Sequence, residues 1–95
     1  MLNEHNHIQE HVKIVRAYLL KSFPGFNMTE DASDPKICHR FTMTNPKTDE
    51  QFKLKVGWVR ISDFFTDPGI IDRLLVYGDV AGMMRCVKNG QYFYW

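Results

Sequence analysis

Tyr92-Phe93-Tyr94-Trp95 sets four aromatic rings in a row, and this run constrains the fold more than any other segment. An extended chain sends alternate side chains to opposite faces, so Tyr92 and Tyr94 turn one way and Phe93 and Trp95 the other. Both faces then want cover. Residues 91–95 are therefore expected to form a strand inserted in a sheet, or an edge strand that a second chain completes.

The other segments supply such a sheet. Between residues 4 and 22 the apolar residues Ile8, Val12, Val15, Leu19 and Phe23 recur at steps of three and four, widened by Ile14 and Tyr18. Glu10, Lys13, Ala17 and Lys21 lie opposite, which predicts an amphipathic helix. Pro24-Gly25 stops it. Residues 26–30 suit a short strand, and 31–35 read as loop. Ile37, His39, Phe41 and Met43 then share one face of a second strand, and Phe52, Leu54 and Val56 one face of a third. The turn at 45–49 makes these two an antiparallel hairpin.

At Gly57 the apolar phase slips from even to odd positions, for which a β-bulge is the economical explanation. The bulge would place Trp58 and Arg60 on the outer face beside Lys53 and Lys55. Without it Trp58 stays inside, with Val59 and Ile61 outside. Asp67-Pro68 opens a helix as N-cap and first residue. Ile70, Leu74, Tyr77, Ala81 and Met84 continue it at helical spacing, with a break at Gly78 and a restart on Asp79. An alternative makes residues 83–87 a strand paired with 91–95 across Asn89-Gly90.

The expected fold is an α+β two-layer sandwich, a mostly antiparallel sheet with helices on one face, in the order α-β-β-β-α(α)-β. Its 95 residues, 44% hydrophobic and 24% charged, suit a single globular domain over 1–95 with one core. About the first four residues are expected to be disordered. Cys38 and Cys86 are too few for a disulfide framework, and no stretch is long and apolar enough to span a bilayer, so a cytoplasmic location without membrane contact is expected. No motif of a known family appears.

The motifs that could carry chemistry are weak. His7-Ile8-Gln9-Glu10-His11 matches H-x-x-E-H, in which two His four apart bind zinc. Zinc needs a third protein ligand, and a solvated helix start is the simpler account. His39 on an apolar strand face is expected to be a core histidine with a hydrogen-bond partner rather than a general base. Cys38 points away from it. Glu30, Asp31 and Asp34 lack calcium-loop spacing, and no phosphate-binding glycine loop is present. No enzyme activity, cofactor or metal is expected.

Two surfaces remain. Tyr92, Tyr94 and Trp95, if exposed, would bind a protein partner or build a homodimer. Arg40, Lys53 and Lys55, with Trp58 and Arg60 added by the bulge, would offer cations around a ring to a nucleic acid. The net charge of +1 means that any such attraction is local, and Asp49 and Glu50 dilute it. The sequence thus favours a small non-enzymatic protein-interaction module, with weak nucleic-acid binding through the basic open sheet face as the alternative.

Overall fold

A computed structural model describes residues 4–31, 38–61, 67–88 and 90–95, without the side chains of residues 4–8 and 58. Helix α1 (Glu4–Ser22) is followed by strands β1 (Asn27–Asp31), β2 (Cys38–Thr44) and β3 (Gln51–Gly57). Then come a one-turn helix α2 (Trp58–Ile61), helices α3 (Pro68–Tyr77) and α4 (Val80–Cys86), and strand β4 (Tyr92–Tyr94). The sheet order is β1-β2-β3-β4, antiparallel except that β4 runs parallel to β3. It is the expected α+β arrangement. Ile37 and Asp34 lie outside the described residues, as does the expected disorder except at Glu4, which opens α1.

Helix α1 buries the stripe that its spacing predicts: Val12, Val15 and Leu19 are inaccessible, and Phe23 is nearly so. Gly25 takes a left-handed φ of +83° and turns the chain into β1. The hairpin turn is closed by the Asn45 side chain, whose Oδ1 accepts from the Lys47 N–H at 2.9 Å. Antiparallel register sets His39 against Val56, Phe41 against Leu54 and Met43 against Phe52. These residues face α1, α3 and α4, and the alternate residues face outward.

Two expectations and one alternative reading fail. There is no bulge at Gly57: β3 ends there and residues 58–61 make a helical turn. The phase slip records a change of period from 2 to 3.6 as the chain leaves the sheet. Ile61 is accordingly buried while Val59 is 57% exposed, a pair that neither strand-based alternative allowed. In α3 the buried face is Ile71 and Leu75, whereas Ile70 and Tyr77 are exposed. Ile70-Ile71 and Leu74-Leu75 are apolar doublets, so spacing alone fits two faces. Finally, residues 83–86 are helix and not a strand.

The helical break at Gly78 occurs as expected. Asp67 accepts from the Gly69 N–H at 2.8 Å as the α3 N-cap, but the Asp79 side chain does not cap α4. Instead the Tyr18 hydroxyl, reaching from α1, accepts from the Ala81 N–H at 3.0 Å. Arg85 donates to the Ser22 carbonyl at 2.7 Å and lies 4.3 Å from the Phe23 ring, which ties α4 to the end of α1.

Strand β4 docks within the monomer. The Trp95 N–H donates to the Lys55 carbonyl and the Gly57 N–H to the Trp95 carbonyl, both at 2.8 Å. Phe93 and Trp95 pack against the core, so the alternation read from the four rings holds.

Candidate functional site

The strand register sorts the candidate residues onto the outer face of the sheet. One row across the strands runs Asp31, Arg40, Lys55, Tyr94, and the next runs Thr29, Thr42, Lys53, Tyr92. The two surfaces that the sequence offers separately are therefore one surface. Its rings come from β4 and its cations from β2 and β3, brought together because β4 pairs with β3.

Rings and cations interleave closely there. Lys53 Nζ lies 5.2 Å from the Tyr92 ring centroid, and Lys55 Nζ lies 4.9 Å from Tyr92 and 4.6 Å from Tyr94. Lys55 Nζ also donates to the Tyr94 hydroxyl at 3.0 Å. That hydrogen bond pushes the Lys55 ammonium above its ordinary pKa, so its charge is secure across physiological pH. Arg40 pairs with Asp31 at 2.5 Å, which offsets its charge. Tyr94 is 68% exposed.

Arg60 lies against the Trp95 ring and is not carried along the outer face of β3 as the bulge would have it. It stands on α2, with its guanidinium carbon 4.7 Å from the Trp95 ring. Trp58 opens α2 instead of continuing the outer face of β3, and its side chain lies outside the described residues. Trp95, expected as an exposed contact, turns its ring to the core side and is half-buried. Cys38, Lys55, Gly57, Tyr94 and Trp95 line an open notch of about 390 Å³ where the β3–β4 pair ends.

A second polar cluster lies at the rim of the inner face. Arg16 grips Glu30 with two hydrogen bonds, Nε to Oε2 at 2.5 Å and Nη2 to Oε1 at 2.9 Å. His39 Nε2 is 3.0 Å from Glu30 Oε1. The Arg16 hydrogen bonds hold the Glu30 carboxyl below its ordinary pKa, assisted by His39 and opposed by burial. His39 thus has the hydrogen-bond partner expected of a core histidine. The sequence assigned Glu30 to an acidic loop cluster, and only the β1–β2 pairing reveals its inward turn.

His11 corrects the solvated reading of the H-x-x-E-H segment. It is fully buried, because position 11 falls one turn before Val15 on the packed stripe. Glu10 is exposed, and the His7 side chain lies outside the described residues. Among the described residues no group of three or more His, Cys, Asp or Glu is placed to hold a metal ion, Cys38 and Cys86 are free thiols, and no helix is long and apolar enough to cross a membrane.

No family model matches the chain, and comparison with curated proteins and with solved structures finds no match.

Proposed function

We propose that the chain is a non-enzymatic binding module whose open sheet face takes a single-stranded nucleic acid. The observation that carries this reading is the interleaving of Lys53 and Lys55 with the Tyr92 and Tyr94 rings on the outward face of the sheet. A flexible polyanion of stackable rings needs this pairing, with cations spaced for phosphate and aromatic faces for bases. Magnitudes support the exchange. A cation over an exposed ring is worth about 0.5–1 kcal/mol, whereas stacking a base contributes about 1–3 kcal/mol. A lysine can leave its ring for a phosphate at little cost.

With Lys53 and Lys55 held over rings of this face and Arg40 offset by Asp31, about two phosphates are neutralised. The logarithm of affinity should then fall with the logarithm of salt at a slope of about −1.4. Anisotropy of a labelled oligothymidylate, titrated over a range of salt, tests this. Lys53→Glu/Lys55→Glu should abolish the binding, and a wild-type affinity that ignores salt would refute the reading.

A protein partner is the second reading. Tyr77 at 84% and Val76 at 61% exposure, at the end of α3, favour it. Gly78 follows them and lies beside the Trp95 indole, so such a contact would join α3 to the terminal strand. Self-association through this region would appear as a dimer mass by light scattering, and Tyr77→Ser would reduce it to that of a monomer.

A further inference from the structure

Gly57 is the outward residue of β3 at the row it shares with Cys38. With hydrogen in place of a side chain there, and the small Cys38 beside it, this row sinks below the level set by Lys55 and Tyr94. The hollow is the notch of about 390 Å³, a volume within the roughly 300–1,000 Å³ of small-ligand clefts. Backbone conformation does not impose this glycine. Its φ lies outside the left-handed region, and a Cβ added to it meets nothing closer than the Trp95 carbonyl oxygen at 3.6 Å, an ordinary contact. The opening, not the turn, is what a side chain would remove.

The walls are chemically uneven. Tyr94 supplies ring surface, the Trp95 backbone closes the end of the β3–β4 pair, and Cys38 and Gly57 give an apolar floor. Lys55, hydrogen-bonded to the Tyr94 hydroxyl, brings a cation to one side. A ligand that fits such a site has a flat ring for the hollow and an anion near the rim.

We propose that the notch takes one nucleotide unit, its base against the Tyr94 ring and its phosphate at Lys55. This rests on the nucleic-acid reading of the open face and gives that face an end point: the strand lies across Tyr92 and Tyr94 and finishes, or turns a base inward, at Gly57. The same unit could arrive as a free nucleoside monophosphate or as part of a strand.

The test is heteronuclear NMR on the whole chain, titrated in one arm with adenosine or uridine monophosphate and in the other with a short oligothymidylate. Shifts of the Cys38 and Gly57 amides that saturate in the mononucleotide arm support the site with a free nucleotide as ligand. Shifts confined to the oligonucleotide arm support it with a strand residue as ligand. Gly57→Leu fills the hollow from β3 and Cys38→Leu fills it from β2. Either should remove those shifts and weaken oligonucleotide binding about tenfold, the contribution of one stacked base, with the salt slope unchanged. Two filled variants guard against one failing to fold. If both fold and bind as the wild type does, the notch proposal is overturned while the face reading stands, provided that Lys53→Glu/Lys55→Glu still abolishes binding. If that double variant also binds normally, both fall.

Discussion

The two faces of the sheet are built from alternate residues of the same strands, yet they do different work. On the inner face the row Phe41, Leu54, Phe93 lies within the core or against it, with Phe41 and Leu54 wholly inaccessible. On the outer face the next residues along, Lys53 and Lys55 with Tyr92 and Tyr94, touch one another rather than the core. A shift of one residue in register would exchange the two sets. A strand isolates neighbouring side chains on opposite surfaces, so the outer face, where we propose that binding occurs, can be altered separately from the stability of the core.

The strongest way to break that separation is Leu54→Ala. It should cost about 2–5 kcal/mol through lost burial and the cavity left between Phe41 and Phe93, read as a lower urea midpoint. Oligonucleotide affinity, measured well below that midpoint, should not change. Next comes Lys53→Glu/Lys55→Glu, which should abolish the binding of a single-stranded oligonucleotide, a loss of at least on the order of 100-fold at low salt, and move the urea midpoint little. If it unfolds the chain, the outer face is structural and the contrast fails.

A smaller effect sharpens the contrast at the rim of the inner face. Glu30 is held below its ordinary pKa chiefly by Arg16, so the unfolded chain takes up this proton first as pH falls. The stability that Glu30 contributes is complete above about pH 4.3 and is lost as pH falls from there through the lower folded value. Glu30→Gln should therefore cost about 1 kcal/mol at pH 7, discounted for a partly exposed pair. It should also flatten the acid limb of the stability curve, as followed by circular dichroism. Smallest of all, Tyr94→Phe removes the Lys55 hydrogen bond and keeps the ring, so affinity should change by less than about threefold. Tyr94→Ser should lose about tenfold.

Much of the fold was legible. The bounds of α1, the β2–β3 hairpin with its inward faces and the alternation of the four terminal rings follow from periodicity, since each pattern fits only one burial. Legibility ended where a pattern fits two structures. The doublets Ile70-Ile71 and Leu74-Leu75 offer α3 two apolar faces, and the phase slip at Gly57 suits a bulge as well as a helical turn. Of the candidate site, the cations on β2 and β3 were readable as outward residues. Their meeting with Tyr92 and Tyr94 was not, because the four residues come from segments nearly forty positions apart.

Local rules decide which way a side chain points, and for this protein they reach the amphipathic helix, the hairpin and the two-sided terminal strand. Which strand lies beside which is set by how the helices close over Phe41, Leu54 and Phe93, a global packing problem that no short window contains. That closure alone lays β4 parallel to β3, sets the tyrosines among the lysines, and leaves a hollow over Gly57.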